Sequence, residues 1–126
     1  MKDRKKNPLT KSFGYAFDGI WIGIRNERNM KIHCIAAIFV TLAGTLFHIT
    51  AVQWCICLLL FALVISLELV NTAVEAAVDL VTEEKKPLAK IAKDTAAGAV
   101  LFAAIVSVII GCIIFLPYVL ELLEKI

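Results

Sequence analysis

The chain has 126 residues, 60% of them hydrophobic, and a formal net charge of only +2. Soluble domains average about 45–50% apolar residues, so the composition excludes an ordinary soluble domain. It points to one integral-membrane domain over residues 1–126 with no nucleic-acid partner. The placement of the charges therefore carries more information than their sum.

The N-terminus, "MKDRKKN", is basic but is not followed by the continuous apolar core of a signal peptide. It is expected to be retained. From about Lys11 to Arg28, Phe13, Phe17, Ile20 and Ile24 recur at helical spacing, joined by Ala16 and Trp21. Lys11, Asp18, Arg25 and Arg28 lie mostly off that stripe. This predicts an amphipathic helix over about 10–28, lying on the membrane surface. Gly14, Gly19 and Gly23 weaken it as a free helix but allow close packing once docked. The plainer reading is a simple surface anchor.

Three long apolar segments follow, at about 32–49, 51–81 and 95–116. A hydrocarbon core of about 30 Å needs about 20 helical residues, so each can span once. The third helix is predicted to start near Pro87, a good first-turn residue, and to run to about 116. The first loop, around "HITAVQ", carries no Lys or Arg. The second, "TEEKKPLAKIAKD", carries Lys85, Lys86, Lys90 and Lys93. Cytoplasmic loops hold the cationic excess. The N-terminus and second loop are thus expected inside, the first loop and C-terminus outside. Ala99, Ala103, Ser107 and Gly111 recur every four residues, which lets membrane helices pack closely. The predicted fold is an all-α membrane bundle of three spans plus a surface helix, with self-association expected.

The end of the second apolar segment is unusual. Glu68, Asn71, Glu75 and Asp79 fall within a helical stripe of roughly 80°. Counting about 20 residues from Gln53 reaches Thr72, so Glu68 should lie just inside the boundary. Glu75 lies about 10 Å further out. A carboxylate at membrane depth costs at least ~2.5 kcal/mol on insertion scales. Glue between helices or snorkelling explains one such acid more easily than three aligned with an amide. Acids near water can hold Mg²⁺ through oxygen. An acid at lipid depth can accept a proton from a lipid hydroxyl. Phosphoryl transfer depends mainly on positioning and charge neutralisation, so a small protein suffices. No Walker A or protein-kinase glycine-rich motif is present. A proton or cation pathway and a noncatalytic assembly subunit are the competing readings.

These residues resemble a known family, the small bacterial integral-membrane lipid kinases that comprise the prokaryotic diacylglycerol and undecaprenol kinases. The resemblance rests on Glu68-x-x-Asn71-x-x-x-Glu75-x-x-x-Asp79, on Lys93-Asp94, on Asn26-Glu27 and on Gly14-Tyr15. It covers nearly the whole chain from about Lys11. It implies a homotrimer in the bacterial cytoplasmic membrane, with MgATP sites on the cytoplasmic side. Glu68 would be the general base toward the lipid hydroxyl, and Glu27 and Glu75 would hold Mg²⁺ bound to ATP. Asn71, Asp79, Glu84, Lys93 and Asp94 would shape the nucleotide site, with Tyr15 on its border. Pro8 stands where the diacylglycerol kinases of the family place an arginine. Lys85 and Lys86 replace that group's aromatic-histidine pair while keeping nucleotide contact possible. The stretch "KSFGYAFDGIWIGIRNERNMKIH" is more similar to the undecaprenol kinase branch. Undecaprenol is thus the favoured substrate, with diacylglycerol the alternative.

Cys34, Cys55, Cys57 and Cys112 sit in apolar runs and are expected to be packing residues. His33 and His48 lack metal-ligand company and are given no catalytic role. Trp54 is expected to anchor at the outer interface.

Overall fold

The computed structural model describes residues 8–126. The basic segment before Pro8 lies outside them. The described residues form α1 (Leu9–Asn26), α2 (Arg28–Phe47), α3 (Ala51–Val81) and α4 (Pro87–Glu124). The last three are long and apolar enough to cross a membrane, with mean hydropathy of 1.8, 2.3 and 3.1. At 1.5 Å per residue, α3 is about 46 Å long, longer than a hydrocarbon core of about 30 Å. Its last turns can therefore stand in water, and these turns carry Glu75 and Asp79.

Each helix boundary has a local cause. Glu27 alone separates α1 from α2. Its extended backbone (φ −97°, ψ 120°) ends one helix and starts the next, while its N–H still donates to Gly23 O. The sequence pattern suggested a surface helix reaching 28 and a first span beginning near 32. In the structure α1 ends two residues earlier, at Asn26, and α2 starts at Arg28. At the other end of α2, His48 takes a left-handed conformation (φ 51°), and Ile49 N–H donates to Gly44 O. Thr50 and Gln53 then form a reciprocal capping box. Gln53 N–H donates to Thr50 Oγ1 at 3.2 Å, and Thr50 N–H donates to Gln53 Oε1 at 3.0 Å. Thr82–Lys86 forms the second connection, and Pro87 opens α4. α4 runs eight residues beyond the expected end near 116 and passes through Pro117. Neighbouring helices and side chains let membrane helices tolerate an interior proline. Here the adjacent Tyr118 is tied to α3, its hydroxyl donating to Gln53 Oε1 at 2.6 Å.

α3 is the hub: α1, α2 and α4 all pack on it, and α2 and α4 make only marginal contact with each other. The result is a groove of about 710 Å³ between α2 and α4, floored by α3. It is closed at the Gln53 end by Phe47, whose ring lies 6.4 Å from Phe115 and 5.8 Å from Tyr118. Beneath these rings Ile49, Cys57 and Ile114 are buried. Trp54 belongs to this packing. It is half-buried, and a Cβ added to Gly44 would come within 2.9 Å of its ring. Its role is thus helix packing as well as any contact with the interface.

On α1, Gly23 is the glycine that makes the close approach, since an added Cβ would meet Leu69 Cδ2 at 2.6 Å. Gly14 and Gly19 face open space. Phe13 and Phe17 remain exposed and Ile24 is half-buried, so among the described residues the apolar stripe of α1 is covered only near its end. On α4, Ala103 packs inward, but Gly111 faces open space and Ala99 is exposed. The four-residue stripe is therefore only partly a packing seam within one chain.

Candidate active site

The polar stripe of α3 runs from a buried end to a wet end. Glu68 is 2% exposed and Asn71 is 6% exposed, whereas Glu75 is half-buried and Asp79 is exposed. This gradient follows from helix geometry. Each step along the stripe moves outward at 1.5 Å per residue while staying on one face.

Glu68 borders a small polar pocket of about 230 Å³. Asn29 and His33 from α2 form one wall, and Asn71 lies one turn along α3. The α4 wall is apolar, built from Ala97, Val100, Leu101 and Ala104. The Glu68 main-chain carbonyl accepts from Thr72 Oγ1 at 3.1 Å. The group facing its carboxylate is His33, whose Nε2 lies 3.9 Å from Oε2. His33 lines both this pocket and the apolar groove. It is thus the side chain at which the two spaces meet.

Asn71 Nδ2 donates to Glu75 Oε1 at 3.2 Å. That bond fixes the amide orientation, because a carboxylate can only accept. Among the described residues Asn71 Oδ1 is left buried without a partner. A buried, unpaired acceptor normally has a ligand or water to receive from.

Beyond Glu75 the site is charged and open. Lys93 Nζ donates to Asp79 Oδ1 at 2.5 Å, joining the last turns of α3 to the second turn of α4. Lys90 pairs with Asp94, so Asp94 is engaged within α4. Glu84 lies 3.9 Å from Lys86 in the connecting loop. Lys85 is exposed and makes no ion pair among the described residues. Glu27, at the α1–α2 break, is half-buried; Gly23, one turn before it, packs against Leu69 next to Glu68, and Asn29, two residues after it, lines the Glu68 pocket. The structure thus brings Glu27, Glu68, Asn71 and Glu75 into one region, with the Asp79–Lys93 pair beyond. Tyr15 is 48% exposed and lies twelve residues before Glu27, about 18 Å along α1. It stands apart from that region within the chain.

Sequence reading gave His33 no role, whereas the structure sets it 3.9 Å from the Glu68 carboxylate. Once α2 starts at Arg28, Asn29, Ile32 and His33 share one helix face at i, i+3, i+4 spacing. The signal was the single-residue break at Glu27. The four cysteines are free; Cys57 is buried as a packing residue and Cys34 partly so, whereas Cys55 and Cys112 are exposed on the single chain. No cluster of three or more metal-ligating side chains occurs among the described residues.

Residues 14–115 match the family described as prokaryotic diacylglycerol kinase. The chain is 50% identical over 111 residues to an undecaprenol kinase of Bacillus subtilis, covering 88% of this chain and 90% of that one. It is 45% identical over 116 residues to a diacylglycerol kinase of Synechocystis, covering 91% of this chain and 66% of the relative. It is also 30% identical over 106 residues to the diacylglycerol kinase of Escherichia coli, covering 84% and 87%.

Proposed function

This chain belongs to the prokaryotic diacylglycerol kinase family and is a lipid kinase; on that premise we propose that it transfers the γ-phosphoryl group of ATP to the hydroxyl of undecaprenol. The observation that carries the reading is the setting of Glu68. It is a carboxylate 2% exposed, in a polar pocket that shares His33 with a long apolar groove. An isoprenoid chain suits the groove, and its hydroxyl then reaches the carboxylate. Glu68 takes the hydroxyl proton, the alcohol oxygen attacks the γ-phosphorus, and ADP leaves. The 50% identity to an undecaprenol kinase supports the prenol over diacylglycerol.

The donor set suits Mg²⁺ held jointly with a nucleotide, because Mg²⁺ is usually bound through one or two carboxylates plus substrate phosphates. Glu27 and Glu75 are the carboxylates for that role, and both are partly open to solvent. The ion would neutralise charge on the phosphates. Asn71, Asp79, Glu84, Lys85, Lys86, Lys93 and Asp94 would border the nucleotide, Lys93 offering an ammonium at the open end. Tyr15 would act at the border of the site, reached in an assembled homotrimer. The nucleotide side would face the cytoplasm of a bacterial cell, given the lysines of the second loop and the positive-inside rule.

A proton or cation pathway fits the structure less well. From His33 to Val119 the groove is apolar apart from Ser107 and cysteines, and Ser107 Oγ already donates to Ala103 O at 2.7 Å. The deciding experiment measures label transfer from γ-labelled ATP to undecaprenol and to diacylglycerol in parallel mixed micelles. Faster labelling of undecaprenol is expected. Preferred labelling of diacylglycerol would reassign the substrate. ATP-independent ion flux in liposomes with no lipid labelling would overturn the reaction.

A further inference from the structure

We propose that His33 is a positioning residue for Glu68, holding the carboxylate toward the mouth where the polar pocket opens into the apolar groove. The inference deepens the reading of Glu68 as the base and rests on it.

The argument begins with the environment of the carboxylate. Glu68 is almost fully buried, and an ionised carboxylate in such a place is costly unless paired. α4 contributes only Ala97, Val100, Leu101 and Ala104 to the pocket. The neutral amide of Asn71 directs its donor to Glu75. Among the described residues, the ionisable group of opposite tendency that faces the carboxylate is the His33 imidazole, 3.9 Å away. A base must be ionised to accept a proton, so the imidazole edge supplies what the rest of the pocket withholds.

The distance is longer than a hydrogen bond. Catalytic hydrogen bonds are often long before substrate enters and tighten in the complex. The backbone beneath is well fixed, because Met30 is wholly buried and packs near Gly23 of α1. His33 lies almost one turn further along the same helix, at the edge of both cavities. It can therefore aim the carboxylate without contacting the nucleotide.

The test uses the full chain in mixed micelles with undecaprenol and γ-labelled ATP. Wild type, His33→Leu, His33→Gln, Glu68→Gln and the His33→Leu/Glu68→Gln double variant are compared. His33→Leu should lower kcat about 10- to 100-fold, with KM for ATP and the unfolding midpoint in detergent unchanged. His33→Gln, which keeps an N–H donor, should restore most of the rate. In the Glu68→Gln background, His33→Leu should cause no further loss. If His33→Leu does not fold, His33→Phe replaces it, keeping a ring without a donor. Wild-type kcat in a folded donor-free variant would overturn the proposal, as would the same fold-loss with and without Glu68. Normal turnover by Glu68→Gln would instead overturn the base assignment itself, whatever His33 does.

Discussion

Asn71 donates from Nδ2 to Glu75 Oε1 at 3.2 Å and keeps its Oδ1 buried without a partner. The first half of that arrangement orients Glu75, and the second offers an acceptor to whatever enters the site. Losing one partner of a hydrogen bond is costly only where the group left behind is sealed from water, and Glu75 is half-buried. Asn71→Leu should therefore fold and unfold like the parent. Its kcat/KM for ATP should nonetheless fall about 10- to 100-fold, the effect of losing a hydrogen bond to a charged group. Loss of stability with unchanged kinetics would show Asn71 to be a packing residue.

Glu27 and Glu75 reach the site from different places in the fold, one from the single-residue break between α1 and α2 and one from the stripe of α3. Glu27→Gln and Glu75→Gln keep size and hydrogen bonding but remove a hard anionic ligand. Each should raise the Mg²⁺ concentration needed for half-maximal activity. A titration of rate against free Mg²⁺ at fixed ATP checks this, and superimposable curves would argue against both as ligands.

The Lys93–Asp79 pair is well exposed, with side chains 39% and 58% accessible. Exposed ion pairs contribute little to stability, so Lys93→Gln should leave the unfolding midpoint in detergent nearly unchanged. KM for ATP should rise several-fold, and the difference from wild type should shrink in high salt. A shift in unfolding midpoint with no change in KM would instead make the pair a structural tie between α3 and α4.

The far end of the bundle offers a control that separates stability from catalysis. A Cβ at Gly44 would lie 2.9 Å from the Trp54 ring and 3.0 Å from Ile49 Cδ1. A rigid ring cannot retreat as a flexible chain end can, and overpacking costs about 1–3 kcal/mol. Gly44→Ala should lower the unfolding midpoint while leaving KM for ATP as in the parent.

Much of the fold was legible because the spans are long and the acids are periodic. The 3.6-residue spacing alone put Glu68, Asn71, Glu75 and Asp79 on one face, and within the chain these side chains run from buried to exposed in that order. The extent of α3 was readable too, since a capping box starts it and charged loop residues follow it. His33 was not legible, because its meaning depends on where α2 begins relative to Glu27 and on which face of α2 meets α3. Periodicity gives the face of one helix, not the rotation of its neighbour. The packing of Trp54 was not legible for a similar reason: an aromatic near a helix end suits an interface, and it is Gly44 on the preceding helix that gives its ring a packing slot. The end of α4 was missed because Pro117 resembles a stop, whereas Tyr118 bonds to Gln53 and the helix continues.

The most direct measurement of the central claim is phosphate transfer from γ-labelled ATP to undecaprenol by wild type and Glu68→Gln, with nucleotide binding measured on the same preparations. Removing a general base typically costs about 10²- to 10⁴-fold in rate. The account predicts a loss of that size with ATP binding preserved. Wild-type turnover by Glu68→Gln would contradict it.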